Sequence, residues 1–126
     1  EYDEILDQKV TDLYKSTSSF FVKLKSSSGN EGSYIENKDF YIYAQGEVAT
    51  LILRAQVTEE GLKRNPLTQN FNDLQKQYED LATLHKTSPT PAMIKSAEKA
   101  FEQSFRAILQ NLLYLKWNQY QPEAKQ

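Results

Sequence analysis

Apolar residues recur at alternating three- and four-residue spacing in four stretches of the chain. The first holds Leu6, Val10, Leu13, Thr17, Phe20 and Leu24. The second holds Tyr41, Ala44, Val48, Leu51 and Ala55, and the third Leu67, Phe71, Leu74, Tyr78 and Leu81. The fourth runs through Ile94, Ala97, Phe101, Phe105, Ile108, Leu112 and Leu115. A 3.6-residue helical period puts each set on one face of an α-helix. The pattern predicts helices over about 3–25, 33–57, 66–86 and 91–120. Four amphipathic helices joined by short connections predict one all-α domain over 1–126, an antiparallel up-down-up-down four-helix bundle.

Local signals set the expected ends. Asp3, Glu4, Asp7 and Asp12 lie towards the start of the first helix and Lys23 and Lys25 at its end, which complements the helix dipole. The serine- and glycine-rich stretch from Ser26 to Gly32 reads as a loop. Ser33 and Glu36 have capping-box spacing at the start of helix two. Gly46 falls inside that helix but off its apolar stripe, so it reads as a tolerated surface glycine. Thr58 to Arg64 forms the next loop. Asn65-Pro66 and Thr90-Pro91 each place a capping side chain before a proline, the expected starts of helices three and four. Lys95–Glu98, Lys99–Glu102 and Glu102–Arg106 are spaced as ion pairs on the outer side of helix four. Gln121 to Gln126 is a polar tail.

Composition removes several chemistries. A net charge of −2 at pH 7 argues against a nucleic-acid partner, because a phosphate-binding surface needs a basic excess. No apolar run reaches the ~18–20 residues of a membrane span. Without cysteine there are no disulfides, thiolate nucleophiles, zinc–thiolate sites or covalently attached haem. A di-iron bundle needs Glu-x-x-His on two helices, whereas the single histidine, His85, has Ala82 three residues before it. Met93 and His85 could ligate a b-type haem only by facing one another inside the bundle. They flank one short turn instead, so His85 reads as a helix-end residue near the dipole and Met93 as a filler of the core end. Arg54 and Arg106 flank apolar stripes, where long stems cover the core edge. No nucleophilic elbow, phosphate loop or metal-ligand set is present. No catalytic residue, metal or cofactor is expected, and the chain reads as a protein that is not an enzyme.

Four runs exceed a core stripe of ordinary width: Phe20-Phe21-Val22, Phe40-Tyr41-Ile42-Tyr43, Leu51-Ile52-Leu53 and Leu112-Leu113-Tyr114-Leu115. Consecutive helical residues point about 100° apart, so each run must turn some side chains outwards. Two readings stay open. One is a broad core with scattered surface apolars; the other is a partner or homodimer surface. On the second reading the candidate interface residues are Leu53, Leu113 and Trp117, which fall off or beside the stripes towards one pole. The functional alternatives are an interaction or scaffold module and a carrier holding a small apolar ligand between helices.

Tyr2-Asp3-Glu4-Ile5-Leu6-Asp7, with Leu13, Thr17, Phe20 and Leu24, resembles the start of small uncharacterised bacterial envelope proteins, many of them predicted lipoproteins. Phe101-Glu102-Gln103-Ser104-Phe105-Arg106-Ala107-Ile108-Leu109 resembles their last helix. The resemblance implies a four-helix bundle exported from a Gram-negative cytoplasm, in the periplasm or anchored to the outer membrane, with no assigned activity. It carries no catalytic or binding residue over. The start at Glu1 fits a removed signal peptide or lipoprotein leader and equally a trimmed fragment. Membrane contact is expected only through such a lipid anchor.

Overall fold

The computed structural model describes residues 4–59 and 67–120. They form four helices: α1 (Glu4–Ser26), α2 (Tyr34–Glu59), α3 (Leu67–His85) and α4 (Pro91–Tyr120). A short 3-10 turn, Gly29–Gly32, interrupts the serine-rich connection after α1. Among the described residues there is no strand. The expected helix ends fall within two residues of these bounds. Asp3, the Asn65-Pro66 start signal, residues 60–66 of the second connection and the tail after 120 lie outside the described residues.

All of the stripe residues from the first three helices are buried, and so are Phe101, Phe105, Ile108 and Leu112 of α4. Ile94, Ala97 and Leu115 are partly buried against them. α1 packs on α2 and α4, and α3 packs on α2 and α4, so the helices close a ring around one core. Each fully buried large apolar side chain contributes roughly 1.5–3 kcal/mol relative to exposure.

The caps differ in detail from a full reciprocal box. The Glu36 N–H donates to Ser33 Oγ at 3.3 Å. The Ser33 N–H is already held by the Asn30 carbonyl at 3.0 Å, because the 3-10 turn closes there. Asn37 completes the junction, its Nδ2 donating to the carbonyls of Glu31 and Ser33 at 2.9 and 2.6 Å. The ion pairing of α4 also departs from expectation: Glu98 takes Lys25 of α1 at 2.8 Å rather than Lys95. Exposed side chains choose among nearby partners at little energetic difference. Gly46 is exposed within α2, and a Cβ there would meet nothing within 4 Å of the same chain.

The start of α4 is as expected: the Met93 N–H donates to Thr90 Oγ1 at 3.2 Å, with Pro91 at the first helical position. Thr90→Ala removes that acceptor and should cost about 1 kcal/mol, while Thr90→Ser should be near neutral. Urea denaturation reads this as a lower midpoint with an unchanged slope. Equal midpoints for the alanine and serine variants would show that the cap contributes nothing.

Candidate interaction surface

The apolar runs divide between inside and outside as helical geometry requires. Phe21, Tyr41, Leu51 and Leu112 are buried; Val22, Ile42, Tyr43, Leu53, Leu113 and Tyr114 are exposed. The three candidate interface residues all lie outside: Leu53 is 62 % exposed, Leu113 65 % and Trp117 49 %. Leu113 and Trp117 share one groove of about 310 Å³ with Gln110 and Tyr114. Through Gln110 and Leu113 it continues into a second, of about 350 Å³, between α4 and α1. The floor of that second groove is Phe105, whose ring meets Tyr14 edge-on at 5.2 Å. Leu109, Leu113 and Trp117 follow one another at four-residue spacing, so the groove runs along one side of α4. Arg106 lines its rim, a position that fits stem packing beside the core. Leu53 stands apart from this groove, on α2, which does not pack against α4.

At the end of the bundle where α1 and α3 finish and α2 and α4 begin, a cleft of about 990 Å³ opens. Leu24, Ile94 and Tyr34 supply apolar lining, and Lys25, Lys86 and Lys95 reach it from three sides. Lys86 Nζ sits 5.0 Å from the centre of the Tyr34 ring, a cation–π contact. The expected up-down order gathers these four helix ends at one pole, but the opening between them was not foreseen from sequence. Its walls are the 3-10 turn and the turn after α3, and apolar periodicity carries no information about how two loops meet.

His85 closes the base of the cleft. It is buried, with Nε2 2.7 Å from the Gly32 carbonyl and Nδ1 2.8 Å from the Tyr41 hydroxyl. A carbonyl can only accept, so Nε2 carries the hydrogen. In the neutral ring Nδ1 then accepts from the Tyr41 O–H. Tyr34 and Phe20 meet the same ring edge-on at 5.8 and 6.1 Å. Sequence reading placed His85 near a helix end but missed this network, in which the imidazole ties the 3-10 turn to α2 and α3. Met93 is 50 % exposed on the first turn of α4 and does not fill the core. Met93 precedes the stripe residue Ile94 by one position, about 100° round the helix, so it points away from the core face.

A second polar contact lies at the centre. Thr17 Oγ1 donates to the Leu13 carbonyl at 2.8 Å and lies 2.6 Å from Tyr78 Oη. The threonine has one hydrogen, already used, so the tyrosine donates across the core. Burial holds the Tyr41 and Tyr78 hydroxyls well above the ordinary tyrosine range. Tyr34 adds to the effect at Tyr41, and Tyr43 adds a smaller push upwards at Tyr78.

Among the described residues no group of three or more histidine and acidic side chains is placed to hold a metal ion. None of their helices is long and apolar enough to cross a membrane. No protein-family model, curated protein or solved structure matches the chain.

Proposed function

We propose that the chain is an antiparallel up-down-up-down four-helix bundle that works as a non-catalytic interaction module of the bacterial envelope, taking a protein partner on the α4 groove. The observation that carries the reading is the exposure of Leu113, Tyr114 and Trp117 together along one groove. Large aliphatic and aromatic side chains with polar neighbours are what binding hot spots use. The antiparallel order is supported by contacts that run in opposite sequence directions. Tyr14 meets Phe105 while Lys25 meets Glu98. Likewise Tyr78 meets Phe101 while Asn70 meets Asn111, and Tyr41 meets His85 while Gln45 meets Gln75. The non-catalytic reading is supported by His85, the chain's one imidazole, whose two nitrogens are both engaged in holding the fold. The resemblance of the first and last helices to small envelope proteins supports the location. A native precursor whose leader ends just before a cysteine upstream of Glu1 would establish the lipid anchor.

The test compares the chain with its Leu113→Ser, Trp117→Ser variant. Exposed side chains of this kind change stability by about 0.5 kcal/mol or less when replaced. The variant should therefore melt within a few degrees of the parent and lose capture of its partner from an extract of the native host. Undiminished capture would reject the groove, and a large drop in melting temperature would show that these residues pack the fold.

The cleft beside His85 favours a second reading, a carrier for a small ligand, because its volume is within the range of small-molecule sites. A molecule retained by freshly purified protein in native mass spectrometry would support it over the interaction module.

A further inference from the structure

The outer face of α2 carries a second stripe, on the side of the helix opposite its core residues. Tyr41, Ala44, Val48, Leu51 and Ala55 face inwards and are buried. Asp39, Ile42, Gly46, Ala49, Leu53 and Gln56 are all exposed, Ile42 at 68 % and Leu53 at 62 %. Their spacing is three, four, three, four, three, the seam of a two-helix coiled coil. Ile42 and Leu53 belong neither to the core nor to the partly buried side chains packed against it. Within one copy, a Cβ at Gly46 would meet nothing within 4 Å.

The stripe reads the same in both directions: polar, large apolar, small, small, large apolar, polar. A twofold contact needs this property, because residue i meeting j requires j to meet i. Turning a second α2 antiparallel about the point midway between Gly46 and Ala49 sets Ile42 of one copy against Leu53 of the other. Gly46 then meets Ala49, so small residues occupy the crossing and the backbones can approach closely. Asp39 meets Gln56, whose amide donates to the carboxylate. A parallel pairing would set Asp39 against Asp39, two like charges in one seam. Charge and side-chain size therefore select the same occupant and the same orientation.

We infer that this face of α2 is a homodimer interface, joining two copies of the chain antiparallel about a twofold axis beside Gly46 and Ala49. The inference rests on reading the chain as an interaction module, and it names a second copy of the chain as one partner. It uses a surface separate from the α4 groove.

Analytical ultracentrifugation of the full chain at rising concentration should show a monomer–dimer equilibrium. Gly46→Leu should weaken it by about tenfold or more, the scale of forcing a side chain into a close-packed crossing. The same change should leave the dilute chain folded with an equal or higher melting temperature, since leucine is a better helix former than glycine. Orientation is read by cross-linking, which the absence of native cysteine makes clean. In the antiparallel pair the two copies of position 49 are offset by about 5 Å along the axis, and those of position 39 by about 26 Å. A short bismaleimide should therefore join Ala49→Cys to itself and leave Asp39→Cys unjoined. A strictly monomeric chain overturns the inference, as does a dimer indifferent to Gly46→Leu or one joined through position 39. A monomeric chain that still loses its partner on Leu113→Ser, Trp117→Ser would overturn only the dimer and leave the α4 groove standing. A dimer lost only in that α4 variant would move self-association to the groove.

Discussion

Tyr78→Ala should lower the stability of the bundle by about 3–5 kcal/mol, the range for truncating a fully buried aromatic ring. Tyr78 has no solvent exposure and lies at the centre of the molecule. Its ring packs on Phe101 at 4.7 Å and edge-on to Phe40 at 6.1 Å, while its hydroxyl reaches Thr17 on the far side of the core. One side chain on α3 thus meets residues of α1, α2 and α4, and its loss leaves a cavity that no single helix shift can fill. For a chain of this length each kcal/mol is worth roughly 3–5 °C, so the melting temperature should fall by roughly 10–20 °C. Tyr78→Phe separates packing from the hydrogen bond. Thr17 keeps its own donor bond to the Leu13 carbonyl, so the phenylalanine leaves no orphaned hydrogen and should cost only about 0.5–1.5 kcal/mol. Scanning calorimetry of the two variants decides the matter. Equal losses would mean that the hydroxyl, rather than the ring, is the important element.

The same residue shows why the fold was legible and where legibility stopped. Tyr78 belongs to a stripe that periodicity alone identifies, and every residue of the first three stripes is buried. Helical register determines which residues share a face, and hydrophobicity determines which face turns inwards. Both are local properties of sequence. Three further residues are buried outside the stripes. Asn37 and His85 sit in register with the stripes, four before Tyr41 and four after Leu81, but are polar. Each is buried because it binds loop carbonyls, Asn37 those of Glu31 and Ser33 and His85 that of Gly32. Register was the available signal, and extending the stripes through polar residues would have found them. Phe21 is different. It lies one position beyond the stripe and is buried where α4 brings Phe101 to 5.6 Å from it. That contact depends on how helices are placed, which no local pattern encodes. The surface followed the same logic. The outward turn of Leu53 and Leu113 follows from their position one or two residues beyond a core leucine. Their separation onto helices that do not pack together is tertiary information, as is the cleft.

Above pH 10 the bundle should lose stability steeply through Tyr41 and Tyr78. Burial disfavours the charged phenolate at both positions, so their titration in the folded chain lies above the unfolded value of about 10. The sign follows from linkage. Below pH about 10 both hydroxyls are neutral in the folded and unfolded states, and their contribution is fully present. Above it the unfolded chain releases protons that the folded chain retains, and stability falls as pH rises. Each group contributes a slope of about 1.4 kcal/mol per pH unit, so the pair together removes about 2.7 kcal/mol per unit while both remain protonated in the fold. Ionisation would also break the two donor bonds, from Tyr41 to His85 and from Tyr78 to Thr17, so the folded state has no low-cost way to admit the charge. Urea midpoints measured at a series of pH values from neutrality through 11 should be insensitive to both tyrosines at first and then drop. Tyr41→Phe and Tyr78→Phe should each remove about half of the drop, and the double variant nearly all of it. The comparison is between slopes, so the different starting stabilities of the variants do not enter. A double variant that loses stability above pH 10 as fast as the parent would show that other groups drive alkaline unfolding and that these two hydroxyls ionise without disturbing the core.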